Sequence, residues 1–358
     1  MAVAFSIIAH QVHGGFGKAR EIAPISGTSL DCMIESTVIR DRPFEPTIEP
    51  TPLVNVEGVL AKIEFVNPCG SIKDRIALYI LKKSEELGLL RPGMRIVEAT
   101  SGNTGIAMAY YGRALGYPVT IVMPEHMTEE RKGIIKSLGA DLILCSEAGS
   151  FAEAAAIRDT VAAASDRVFN PDQFSNPLNA LCHQETTAQE LISQAGVKID
   201  AFVAGVGTGG TLMGVGQALR ELWPDVRLAA LEPAEAAVMT GGAAGSHYIF
   251  GIGDGFIPSL ISDGQGGVNA MVDEVIVISS ADALEAARML GQDHGLCVGI
   301  SSGANFLAAK QLQERFGTVA TVFADGAVKY QSHGLGLCTD ESCQFRARCE
   351  KAVVAPVR

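Results

Sequence analysis

Lys73 stands in the run Asn67-Pro68-Cys69-Gly70-Ser71-Ile72-Lys73-Asp74-Arg75, directly after the strand-like Leu60-Ala61-Lys62-Ile63-Glu64-Phe65 and in the first turn of a helix predicted to reach about Leu89. A helix start favours anions, so an ammonium there gains nothing from the dipole. The placement suits an amine that must lose its proton easily and act as a nucleophile, as a Schiff-base lysine does. Alone, such a lysine is more often an ordinary solvated side chain. Three glycine-rich turns, each read as following a strand, change its meaning: Thr100-Ser101-Gly102-Asn103-Thr104-Gly105, Gly205-Val206-Gly207-Thr208-Gly209-Gly210-Thr211 and Gly299-Ile300-Ser301-Ser302-Gly303. Turns that open helices at the carboxyl ends of parallel strands collect unpaired N–H donors and cradle anions. The second turn suits a single phosphate, held by N–H groups and the hydroxyls of Thr208 and Thr211. Its spacing is not that of a dinucleotide fingerprint, and it lacks the lysine of a nucleotide P-loop.

The elements that must position these residues follow from the apolar pattern. Strands are predicted at Leu60–Phe65, Arg95–Glu98, Val119–Met123, Asp141–Cys145, Ala201–Val206, Leu228–Leu231, Glu274–Ile278 and Val319–Ala324. Helices are predicted between them at Thr104–Leu115, Glu129–Leu138, Phe151–Ala164, Thr211–Leu222, Ala281–Leu290 and Ser302–Phe316. Buried strands alternating with helices of this length imply βαβ units, hence an α/β protein of mostly parallel sheets with right-handed crossovers. The 358 residues suggest about two domains, packed closely around a cleft because no low-complexity linker separates them. Residues 1–45 lack periodicity and read as an N-terminal extension. The stretch beyond Ser332 is too polar for another sheet unit.

Composition narrows the function classes. Hydrophobic residues make up 47% and charged residues 19%, a globular balance. A net charge of -12 argues against nucleic-acid partners and anionic membranes, so any anionic ligand must be held locally. No apolar run has the length of a membrane span, and the N-terminus has no basic leader region. Eight cysteines in a chain too large to need disulfide stapling fit a reducing cytoplasm.

Five motifs, in order, closely resemble those of the fold-type II pyridoxal-phosphate enzymes of the cysteine synthase and cystathionine β-synthase family: the three glycine turns, the Asn67–Arg75 run, and Gly251-Ile252-Gly253-Asp254-Gly255-Phe256-Ile257-Pro258. The likeness covers roughly residues 49–331. It implies two open twisted mostly parallel sheets with helices on both faces and an active site in the interdomain cleft. A smaller lobe would span 67–178, and a larger cofactor-binding lobe 46–66 and 179–330. The resemblance makes Lys73 the residue that bonds pyridoxal 5'-phosphate and moves the α-proton. It makes Gly207, Thr208, Gly209, Gly210 and Thr211 the phosphate cup and places Asn103 beside the phenolic oxygen. Ser301 would face the pyridine nitrogen, with Ser302 next to it leaving a one-residue ambiguity. Thr100, Ser101, Asn103, Thr104 and Gln173 would bind the substrate carboxylate.

The implied activity is β-replacement on an activated L-serine, O-acetylserine first, with sulfide giving L-cysteine through an α-aminoacrylate. A neutral serine at the pyridine nitrogen makes the ring a weaker electron sink, which suits loss of a β-leaving group. The resemblance also implies a homodimer and a serine acetyltransferase partner. Cystathionine β-synthase or cysteine desulfhydrase activity, another nucleophile and an O-phosphoserine donor are the alternatives. Threonine dehydratase fits the first loop less well, and an intact Lys73 argues against a non-catalytic scaffold.

Asp254, if it faces the cleft, would repel a phosphate leaving group and could bind the ammonium of an amino-acid thiol. Cys69 and His183 read as structural, with His183 placed near a helix start after Pro177. In the tail, His333, Cys338, Cys343 and Cys349 lack the paired spacing of a structural zinc site. That segment reads as mobile, with metal binding or a thiol switch as alternatives.

Overall fold

The computed structural model describes residues 45–352, except 101, 126, 128, 147–150 and 337–340. The predicted N-terminal arm therefore lies outside the described residues. In chain order the elements are β1 Leu53–Val56, β2 Val59–Ile63, α1 Lys73–Glu86, β3 Arg95–Ala99, α2 Asn103–Ala114, β4 Val119–Pro124, α3 Glu129–Ser137, β5 Asp141–Cys145, α4 Phe151–Ala163 and β6 Val168–Phe169. They continue with α5 Pro177–Glu185, α6 Thr187–Ala195, β7 Ala201–Gly205, α7 Gly210–Leu222, β8 Arg227–Pro233, β9 Glu274–Ile278, α8 Ser280–His294, α9 Ile300–Gln313, β10 Val319–Phe323 and α10 Arg346–Cys349.

The strands form two sheets: six strands in the order β1-β2-β10-β7-β8-β9, and four in the order β5-β4-β3-β6. Every pairing is parallel except the β1–β2 hairpin. All residues of β3, β4 and β10 are buried, as the continuous apolar runs of a sheet covered on both faces require. The fold class read from the sequence is therefore the one observed.

Three local readings need correction. The hairpin partner β1 was not anticipated, because its turn is Glu57-Gly58 with both residues at positive φ (49° and 87°) and lacks the Asn-Gly or Asp-Gly signal. β6 has two residues, too few to show any period. Helix α1 ends at Glu86 and not near Leu89, since Gly88 turns left-handed (φ 71°) and the N–H groups of Gly88 and Leu89 fold back onto Glu85 and Ser84.

The tail also departs from a plain mobile segment. Phe345 is buried and meets the edge of Phe65 with ring centroids 5.6 Å apart, and Cys343 and Cys349 pack against the same core. Cys338 lies outside the described residues. Among the described residues no group of three or more His, Cys, Asp or Glu side chains could hold a metal ion.

Candidate active site

The loop carrying Lys73 is fixed from both sides. Ser71 forms a bridge with Asp325 just beyond β10, and the Ile72 N–H donates to the Ala324 carbonyl at 2.8 Å. Ile72 supplies no side-chain cap to α1. The Asp74 carboxylate instead gathers the loop, accepting from the Cys69 N–H at 2.7 Å, the Ser71 N–H at 3.3 Å and the Tyr111 hydroxyl at 3.0 Å. Burial pushes the Asp74 carboxyl up to about 6, against these hydrogen bonds. Next along the helix, buried Arg75 binds Glu64 and Glu190 at 2.7–2.9 Å. A buried network of this kind is costly to break at one member, so it holds the helix start in place.

Lys73 thus reaches a cleft at the carboxyl ends of β3, β7 and β10, shared with Thr100, Asn103, Thr104, Gln173, Gly207, Thr208, Gly209, Thr211, Asp254 and Ser301. Burial holds its ammonium below the ordinary lysine range, with the carboxylates of Asp254 and Asp325 pulling the other way. The result favours the neutral, nucleophilic amine.

The cup at the start of α7 is built for close approach. A Cβ on Gly207 would lie 2.2 Å from the Gly251 carbonyl, and one on Gly210 would lie 1.9 Å from Asn179 Oδ1. The Thr208 hydroxyl accepts from Asn179 Nδ2 at 2.9 Å and from the Gly210 N–H at 3.3 Å. Thr211 Oγ1 meets His183 Nε2 at 3.2 Å, and His183 Nδ1 meets Thr187 Oγ1 at 2.9 Å. Burial pushes His183 well below the ordinary histidine range, with Lys73 and Arg75 adding to the effect, so the ring is a neutral buttress. It sits in the last turn of α5, not at a helix start. The first N–H groups of α7 have no intrahelical acceptor, as at any helix start, which suits an anion there. These glycines and N–H donors fit a phosphate-bearing cofactor.

On the opposite wall, Thr104 Oγ1 donates to Gln173 Oε1 at 2.6 Å, while Gln173 Nε2 donates to the Ala99 carbonyl at 3.2 Å. Glu98, directly before this loop, accepts from the Gln173 N–H at 3.3 Å and from the Ala99 N–H at 2.9 Å. Burial lifts the Glu98 carboxyl to about 7; nearby Arg158 opposes this and Asp172 adds to it. Gln173 therefore ties the loop to the sheet with both ends of its amide occupied. Ser101 lies outside the described residues.

Ser301 lines the cleft, whereas neighbouring Ser302 is fully buried with its hydroxyl unpartnered and is not part of the lining. The two serines thus point to different surroundings. Asp254 does face the cleft, where burial raises its carboxyl above the usual range against the pull of Lys73 and His247. Sequence reasoning missed Asp325, Lys329, Tyr330 and Arg131. Lys329 Nζ donates to Asn103 Oδ1 at 2.7 Å and to the Gly70 carbonyl at 3.0 Å; the Tyr330 hydroxyl donates to Asp325 Oδ2 at 2.6 Å. The residue type and spacing of these four carry no motif that could have flagged them.

The chain is similar to several known proteins. Residues 44–325 match the family model described as pyridoxal-phosphate dependent enzyme. A cysteine synthase of Staphylococcus aureus is 41% identical over 283 residues, 78% of this chain and 89% of the relative. Among solved structures, a hydrogen sulfide-producing enzyme of Fusobacterium nucleatum is 39% identical with a TM-score of 0.73, covering 81% of this chain and 87% of that one. An O-acetylserine dependent cystathionine β-synthase of Helicobacter pylori is 33% identical with a TM-score of 0.76, covering 81% and 97%.

Proposed function

Because the chain belongs to the pyridoxal-phosphate dependent enzyme family, we propose that it catalyses β-replacement on an activated L-serine, O-acetylserine with sulfide, to give L-cysteine. The observation that carries this reading is Lys73, its ammonium disfavoured by burial, in one cleft with the glycine cup and the Thr100–Thr104 loop. Gly207, Thr208, Gly209, Gly210 and Thr211 would hold the cofactor phosphate, and Lys73, Asn103 and Ser301, which line the same cleft, would hold the rest of the cofactor. When bound, the cofactor withdraws electrons from the substrate α-carbon, and a neutral partner at its ring nitrogen keeps that withdrawal modest.

The chain's own residues do the rest. Thr100, Ser101, Asn103 and Thr104 receive the donor carboxylate with neutral donors, Asn103 and Thr104 through the N–H groups that open α2, and Gln173 keeps that loop in register. Lys73 Nζ takes the α-proton and returns it after the nucleophile has added; its lowered proton affinity keeps the amine neutral beforehand and eases the return. Closure of the two walls excludes water from the reacting carbon. The four-stranded sheet is the core of the smaller lobe (67–178), and the six-stranded sheet that of the larger (46–66 and 179–330). A homodimer in the cytoplasm, with a serine acetyltransferase as partner, completes the reading. Its support is the likeness to cysteine synthases and a chain large enough to need no disulfide stapling. No helix among the described residues is long and apolar enough to cross a membrane.

A second reading concerns the acceptor. Asp254 places a carboxylate in the cleft, which suits an acceptor bearing an ammonium, such as homocysteine or a second cysteine, and disfavours O-phosphoserine as donor. A panel of O-acetylserine, O-phosphoserine and serine against sulfide, homocysteine and cysteine decides between the readings. Asp254→Asn should lower kcat/KM for amino-acid thiols more than for sulfide. Equal effects on both would remove the second reading.

A further inference from the structure

Arg131, the third residue of α3, is 3% exposed and lines the same cleft as Lys73. Its guanidinium carbon lies 5.0 Å from the centre of the Phe250 ring and 5.5 Å from that of Tyr330. Those two rings are themselves nearly parallel, at 28°, with centroids 6.1 Å apart. The side chain also presses on the substrate loop, since a Cβ on Gly102 would lie 2.8 Å from Arg131 Nε. That Nε is buried and donates to no acceptor, and no carboxylate among the described residues forms an ion pair with Arg131.

A guanidinium without a counter-charge is costly to bury, and aromatic faces compensate only in part. In a chain of net charge -12, most of the surface offers such a cation abundant partners, yet this one is held away from them inside the cleft. The two rings pack beside the guanidinium, whose planar fork of N–H donors matches a carboxylate or a phosphate; Asp254 in the same cleft disfavours the phosphate. Phe250 belongs to the segment that carries Asp254 four residues later, and both residues line the cleft. The cleft therefore presents a cation and a carboxylate outside the cofactor cup, the charge pattern of a zwitterion.

We propose that Arg131 is a substrate-binding residue that receives the α-carboxylate of an amino acid in this cleft, with Asp254 receiving the ammonium when that amino acid is the acceptor. The inference rests on the reading of the cleft as an amino-acid site and deepens it. Donor and acceptor both carry an α-carboxylate, and kinetics separate them.

The direct test is calorimetric binding of L-methionine and of L-methioninamide, which lacks the carboxylate charge, to the cofactor-loaded enzyme. No turnover is needed, so the result is independent of whether cysteine is the product. Wild type should prefer methionine, and Arg131→Gln should shrink that preference about 10- to 100-fold. Arg131→Lys, which keeps the charge and loses the fork, should fall between them and serves if the glutamine variant does not fold. An increase in KM for O-acetylserine in the variant assigns the contact to the donor; an increase in KM for homocysteine at saturating donor assigns it to the acceptor. An unchanged methionine-to-methioninamide preference, with only a lowered melting temperature, would overturn the proposal and leave Arg131 as a stacking residue.

Discussion

Lys329 orients Asn103: its ammonium donates to Asn103 Oδ1 at 2.7 Å, while Asp325 Oδ2 accepts from Asn103 Nδ2 at 2.8 Å. A donor-only group on one side and an acceptor-only group on the other leave the amide one orientation. That orientation leaves the amide's second N–H, not its C=O, for the contact proposed with the cofactor's phenolic oxygen.

Replacing Lys329 by Met should therefore let the amide turn over and weaken cofactor retention by about tenfold, one charge-assisted hydrogen bond's worth. Lys329→Arg should restore part of it. The check is the cofactor dissociation constant, together with the position of the bound cofactor's visible absorption band. A lowered melting temperature with both readouts unmoved would make Lys329 a packing residue.

The phosphate cup gives a sharper steric prediction. In Gly207→Ala the new methyl would sit 2.2 Å from the Gly251 carbonyl, and backbone, unlike a flexible side chain, cannot swing aside. The cup and the Gly251–Pro258 segment should separate, and cofactor affinity should fall by about tenfold or more. Fluorescence or absorbance titration of apoprotein with pyridoxal phosphate measures it; wild-type affinity would show that the cup lies elsewhere.

Glu98 makes the substrate loop sensitive to pH. Its carboxyl titrates at about 7 in the folded protein, against an ordinary value of 4.5, so folding favours the protonated form. Stability from this group is fully present below about 4.5 and is lost as pH rises towards 7, by at most about 3 kcal/mol. Glu98→Gln should flatten the dependence of melting temperature on pH across that window relative to wild type. Parallel pH profiles for the two proteins would mean that Arg158 keeps Glu98 ionised throughout.

Much of the site was legible because its chemistry is local in sequence. Lys73, the Gly207–Thr211 turn and the Thr100–Thr104 loop each lie within one strand-to-helix junction, where residue type and spacing single them out, and the structure brings them to one cleft. The sheets were legible for a similar reason, since buried parallel strands are continuous apolar runs. What escaped is what depends on packing between distant elements. Arg131 sits in Glu129-Glu130-Arg131-Lys132, a sequence that reads as a solvated helix start, and only the tertiary fold places it against Phe250 and Tyr330. Lys329 and Asp325 follow the last strand in a segment without a glycine motif of the family, yet they meet Asn103 from more than 200 positions away. Phe345 was hidden in a polar tail because a single aromatic anchor has no period.

The proposed function rests on Lys73 performing β-replacement with bound cofactor. It is tested most directly by measuring L-cysteine formed from O-acetylserine and sulfide by the cofactor-loaded wild type and by Lys73→Ala. The expected result is steady turnover by wild type and a loss of at least about 10³-fold in the variant, which should still bind the cofactor reversibly through the cup. Cysteine formation at the wild-type rate by Lys73→Ala, or none by the loaded wild type, would overturn that function.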